Sequence, residues 1–158
     1  MSSLEEDIVE YTRQIEENPN DADAYFCRGW TYEDLGEKER AIQDYDKAIQ
    51  LNPNDADYYN NRGCAYSDLG QKGRAIQDYN KAIELNPKEG GYYFNRGNAY
   101  KDLKKYERAI KDYDEVIELD TYFVADTYFN RGKCYETLGD NAKAQVDFAK
   151  AKELGYDG

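Results

Sequence analysis

The side chains best placed to do chemistry in this sequence are arginines and aspartates that recur at a fixed spacing. Arg28 goes with Asp44, Arg62 with Asp78, Arg96 with Asp112 and Arg131 with Asp147. A guanidinium is a permanent cation with a planar fork of donors, and a carboxylate matches that fork. Two uses follow. Each Arg and Asp can close an ion pair between neighbouring helices, worth about 0–1 kcal/mol if exposed. Alternatively, the arginines form a row that binds carboxylates of a ligand.

Other reactive groups point nowhere specific. There is no histidine, so Ser-His and Cys-His nucleophiles are ruled out, and no nucleotide-binding or nucleophile-elbow signature occurs. The three cysteines, Cys27, Cys64 and Cys134, are far apart and lack the spacing of zinc or iron–sulfur ligands. Cys134 takes a slot held by Ala65 and Ala99 elsewhere, which suits a small core residue, whereas Cys27 and Cys64 fall on faces that the sequence leaves open. The acidic spacing of a calcium loop is missing. No catalytic residue, metal or cofactor is assigned, and the expectation is a protein that is not an enzyme.

The elements that carry these residues repeat. Tyr59 to Pro87 reads as two amphipathic helices joined by a turn at Gly70 and stopped at Pro87. Gly63, Ala75 and Ala82 let the helices approach closely, beside Tyr66, Leu69, Tyr79 and Leu85. Moving along the chain superimposes Gly29, Gly63, Gly97 and Gly132, then Ala41, Ala75, Ala109 and Ala144, then Tyr45, Tyr79, Tyr113 and Phe148. A helix pair repeated in this way predicts a solenoid. Turns fall at Gly36, Gly70, Lys104 and Gly139, where Lys104 implies strain or a different conformation. The 17 tyrosines are mostly scaffold, since Tyr25, Tyr59, Tyr93, Tyr128 and their counterparts hold repeat positions.

The pattern Tyr25-x2-Arg28-Gly29-x2-Tyr32, Ala41-x3-Tyr45, Pro53 resembles the tetratricopeptide repeat. Tyr stands where that motif often opens with Trp, and Arg stands before each Gly in place of Leu. The resemblance implies an all-α, right-handed solenoid of stacked antiparallel helix pairs. It implies a single domain over 1–158, with a capping helix at 4–18 and repeats at 22–55, 56–89, 90–124 and 125–158.

The capping helix matches only the second half of a repeat, with Asp7 and Gln14 where Ala41 and Ala48 stand. At the other end, Gln145 and Lys152 replace a stripe of isoleucines (Ile42/Ile49, Ile76/Ile83, Ile110/Ile117). Polar residues there suit faces with no neighbour. The linker Asp120-Thr121-Tyr122-Phe123-Val124 has an extra residue and two aromatics, and reads as a plug in a distorted junction or as a functional lip.

Acidic residues outnumber basic ones by 33 to 21, for a net charge of −12. Such a surface repels phosphate backbones, so nucleic acid is not expected as a partner. No apolar run is long enough for a membrane span, and the start does not read as a signal peptide. A cytoplasmic location is expected.

By resemblance, the first helices line a concave groove, a general site for protein partners. The matching positions are Phe26, Trp30 and Asp34, then Asn61 and Asp68. Phe94, Asn95, Asn98 and Asp102 follow in the third repeat, and Phe129, Asn130 and Lys133 in the fourth. Relatives that hold chaperone tails use a basic carboxylate clamp. Its basic positions fall here on Phe26, Gly91 and Asn95, or one register later on Asn60, Asp126 and Asn130, so such tails are poor ligands. Asn61, Asn95 and Asn130 form a ladder suited to an extended backbone. The leading expectation is an adaptor that holds a basic and apolar peptide segment between these residues. The alternative is a scaffold that self-associates as a homo-oligomer, through the Tyr11 end or the Tyr122–Val124 edge. A third arrangement has the aromatics packed against neighbouring first helices and the groove empty.

Overall fold

Short polar side chains set where helices start. Asp21 and Asp55 accept hydrogen bonds from the backbone N–H groups of Ala24 (3.0 Å) and Asp57 (2.9 Å), partners that a first turn otherwise lacks. The computed structural model describes residues 3–119 and 122–156. Its regular structure among these residues is nine helices and no strand. They are α1 (Ser3–Glu17), α2 (Ala22–Asp34), α3 (Lys38–Leu51), α4 (Ala56–Asp68), α5 (Lys72–Leu85), α6 (Gly90–Asp102), α7 (Tyr106–Glu118), α8 (Val124–Thr137) and α9 (Asn141–Glu153).

The chain divides into two compact units, residues 1–85 and 86–158. In the first, each helix packs on the next from α1 to α5, and α2 also lies beside α4. The helix crossings are made by Ala41, Ala48, Ala75 and Ala82, which have no exposed surface. The glycine of each first helix sits under the aromatic ring of the second. A Cβ on Gly29 would come 2.9 Å from the Tyr45 ring, and one on Gly63 would come 2.8 Å from Tyr79. Tyr32, Ala41 and Tyr45 form one cluster with Ala65 of the next repeat, against which Ile42 and Ile8 pack. That contact ties α1 to the repeats. On α1, Asp7 is exposed and Gln14 is half-buried.

In the second unit, α6 through α9 pack in succession, and α6 lies beside α8. Gly97 and Gly132 repeat the close approach, to Tyr113 at 2.9 Å and to Phe148 at 2.7 Å. Cys134 is fully buried in one cluster with Ala109 and Tyr113, the place that Ala65 fills in the first unit. Gln145 and Lys152 are exposed on α9, while their isoleucine counterparts are half-buried.

The turn at Lys104 takes the left-handed conformation after all, with φ of 59°, beside φ of 75° at Gly70. Its backbone follows the glycine turns, and strain at the lysine is the consequence. In the third linker, Phe123 stacks on Phe94 with ring centroids 4.9 Å apart, and Tyr122 is fully exposed. Asp120 and Thr121 lie outside the described residues. No helix among the described residues is long and apolar enough to cross a membrane.

Candidate functional site

All four Arg–Asp pairs form, and they are bidentate. Arg28 donates to Asp44 from Nε (2.7 Å) and Nη2 (2.8 Å), and Arg62, Arg96 and Arg131 do the same to Asp78, Asp112 and Asp147 within 2.9 Å. The aspartates are buried. Tyrosines flank each guanidinium. Arg62 lies 5.8 Å from the Tyr59 ring and 5.9 Å from Tyr66, both on its own helix, within cation–π range. The hydrogen bond from Arg62 to Asp78 is the main reason its pKa rises. Burial pushes the Asp112 carboxyl up, against the pull of Arg96. This arginine row is engaged by the chain's own carboxylates.

Sequence reasoning missed a second use of the same guanidinium. Arg62 Nη1 reaches back to Asp46 on α3 at 2.6 Å, and Arg131 Nη1 to Asp114 on α7 at 2.6 Å. Arg28 Nη1 reaches Thr12 on α1 at 3.1 Å. Each of these ties one repeat to the one before it. The signal was present, since Asp46 and Asp114 hold equivalent places in their repeats.

The predicted groove residues lie on the first helices: α2 and α4 in the first unit, α6 and α8 in the second. On α2, Trp30 is 57% exposed, and Asp34 is exposed one turn along. Phe26 is half-buried, packed 4.9 Å from the Tyr58 ring of α4 and 5.8 Å from Tyr45. On α4, Asn61 donates its amide to the Asp57 carbonyl (2.9 Å), and Asp68 is salt-bridged to Lys38.

In the second unit, Phe94 is covered by Phe123, and Phe129 stacks on Tyr156 at 4.3 Å. Asn98 accepts from the Tyr113 hydroxyl (2.7 Å), Asn130 accepts from Lys101 (2.6 Å) and Lys133 pairs with Glu136 (2.5 Å). Asn95 is half-buried on α6 and Asp102 is exposed at its end. Phe26, Phe94 and Phe129 therefore each share a face with an aromatic ring further along the chain. Tyr58 and Tyr156 were not anticipated in that role, whereas Phe123 plugs the junction as its linker suggested. Trp30 differs from all three phenylalanines in being open to solvent.

The open side of α2 is acidic. Burial pushes the Glu33 carboxyl up, while the Tyr45 hydroxyl, donating to it at 2.7 Å, pulls the other way. Asp34 and Asp68 add charge nearby, and Lys38 offsets part of it. The thiols are poor nucleophiles. Burial raises Cys27, and takes Cys64 and Cys134 up to about 11, far from the thiolate form at neutral pH. Among the described residues, no three His, Cys, Asp or Glu side chains converge on a point that could hold a metal.

The tetratricopeptide repeat model matches residues 22–55, 56–89 and 92–121, and a second model of the same description matches 125–154. No curated protein matches the chain. Among solved structures, a crystal structure of MamA is 29% identical, with a TM-score of 0.87 over 92% of this chain and 85% of that one. MamA of Desulfovibrio magneticus RS-1, from residue 41 to its end, is 22% identical, with a TM-score of 0.89 over 97% and 86% of the two chains. YrrB, described as a tetratricopeptide repeat protein with an unusual peptide-binding site, is 24% identical, with a TM-score of 0.83 over 98% and 79%. The fold class is the all-α solenoid of antiparallel helix pairs, a scaffold for protein–protein interaction. With four matched repeats and this fold, the chain belongs to the tetratricopeptide repeat family.

Proposed function

We propose that this protein is a non-enzymatic adaptor that holds an extended peptide segment, basic and apolar in composition, on the first-helix faces of α2 and α4, with Trp30 as the aromatic anchor. The exposure of Trp30 carries the reading. An indole 57% open to solvent is unusual unless a partner covers it, and tryptophan is the residue most enriched at binding hot spots. The repeat itself does not need it, because Cys64 and Asn98 stand at the same position. Glu33 and Asp34 beside it suit a Lys or Arg side chain, which can also lie over the indole face. YrrB is described as having a peptide-binding site, which makes a peptide the natural class of ligand to test.

A peptide array tests this reading. Sequences alternating Lys or Arg with Leu should retain the protein at low salt and release it as salt rises. Trp30→Ala should lose about 2 kcal/mol of binding, and Asp34→Lys should weaken basic peptides selectively. Both variants should melt close to the parent, since both side chains are exposed. Retention of the same peptides by Trp30→Ala would contradict the assignment.

A further inference from the structure

One position on the second helix of each pair faces solvent wherever it occurs. In the interior repeats it holds Gln43, Gln77 and Lys111, all exposed. In the two terminal helices the equivalent residues are Val9 on α1 and Val146 on α9, exposed by 58% and 68%. The fold gains no burial from a valine at this place, and the polar residues inside show that it does not require one. Apolar side chains appear only in the first and last helices of the series.

The surroundings of the two valines differ in charge. Val9 lies with Ile8 and Leu35 in a hollow of about 440 Å³, rimmed by Glu5, Glu37 and Arg40. Arg40 is held by Glu37 at 2.5 Å. The α1 helix carries Glu5, Glu6, Asp7, Glu10, Glu16 and Glu17 against the single cation Arg13. Val146 stands between two hollows lined by Ala142, Ala149, Tyr128 and Tyr135, with Lys143 and Lys150 beside it. On α9, Asp147 is consumed by Arg131. Around Val146 the lining residues set Arg131, Lys143 and Lys150 against Asp147 and Glu153, and the pairs that Lys143 makes with Asp140 and Lys150 with Glu153 are surface ones that exchange easily.

We propose that copies of this chain associate head to tail, the lysine-rimmed Val146 face of one seating on the acid-rimmed Val9 face of the next. Like faces do not pair, because two α1 surfaces would bring carboxylates together. Two different faces make a heterologous contact, which leaves one face open at each end and extends into a chain of copies or closes as a ring. The proposal places self-association on these valines instead of on Tyr11, which is half-buried, or on the Tyr122 edge. It does not rest on the peptide reading.

Sedimentation velocity on the whole chain tests it, using Val9→Gln and Val146→Gln. Glutamine stands at this position in two interior repeats, so both variants should fold and melt as the parent does. The parent's mean mass should climb above the 18.3 kDa of one chain with concentration at low salt, and fall back at high salt. Each variant alone should stay monomeric. Their equimolar mixture should stop at a dimer, since it retains one intact pair of faces. A parent that is monomeric throughout would overturn the proposal. So would a Val9→Gln variant that associates as the parent does, or a mixture that stays monomeric. Trp30 is untouched in both variants, so peptide binding reports separately.

Discussion

Arg62 grips Asp78 through two parallel hydrogen bonds, Nε to Oδ2 at 2.8 Å and Nη2 to Oδ1 at 2.7 Å, while its third nitrogen holds Asp46 at 2.6 Å. One side chain thus closes its own helix pair and fastens it to the pair before. Asp78 is buried and Asp46 is half open, so the two contacts differ in weight.

Removing Arg62 leaves Asp78 as an uncompensated buried charge. Arg62→Met should cost about 3–5 kcal/mol of stability, measured by denaturant unfolding. Asp46→Asn should cost only about 0–1 kcal/mol. Equal losses would mean that the inter-repeat bond matters as much as the buried pair. A charge-swapped Arg62→Asp with Asp78→Arg should recover only part of the loss, because a carboxylate at position 62 would then face Asp46.

Glycine has opposite effects at two places. Gly63→Ala should destabilise by about 1–3 kcal/mol, because its Cβ would meet the Tyr79 ring at 2.8 Å and the Ala75 carbonyl at 3.3 Å. Gly73 lies on α5 with nothing near it, so Gly73→Ala should stabilise by about 0.5–1 kcal/mol. Melting curves of the two variants should move in opposite directions.

Lys104→Gly should stabilise by about 1 kcal/mol, since the lysine sits at φ of 59° where its counterparts are glycines. An unchanged midpoint in denaturant would show that the lysine carries no backbone strain.

Burial raises the Glu33 carboxyl above its ordinary value, so the ionised form is disfavoured in the folded chain. Its contribution to stability is therefore fully present below the unfolded pKa, about 4.3, and is lost as pH rises through the folded value. Glu33→Gln keeps an acceptor for the Tyr45 hydroxyl and removes the charge. It should raise the melting temperature at neutral pH and leave it unchanged at about pH 3. A stabilisation of the same size at both pH values would place its origin in packing.

The helix pairs were legible because their constraints are local and repeat. Gly29 faces Tyr45 and Gly132 faces Phe148, so in each pair the glycine supplies the gap that an aromatic ring fills. Cys134 could be placed in the core because it stands in an alanine slot. That the phenylalanines could pack on neighbouring helices was legible, but which rings cover them was not. Thr127 stands where α4 has Tyr58, and Phe123, displaced by one extra residue in the linker, covers Phe94 instead. Aligning repeats hides such a substitution, because the replacing ring comes from outside the aligned positions. The arginines showed a partner within their own repeat and concealed the one in the repeat before, since one spacing pattern was enough to explain them.

Trp30 is the only tryptophan in the chain, so its fluorescence reports on α2 directly. Titration with a peptide that alternates lysine and leucine should shift its emission to the blue and saturate, with the shift weakening as salt rises. A matched peptide with glutamate in place of lysine should leave the emission where it was. An emission maximum unmoved by the lysine peptide, while other measurements show that the peptide is bound, would contradict the placement of the ligand on Trp30.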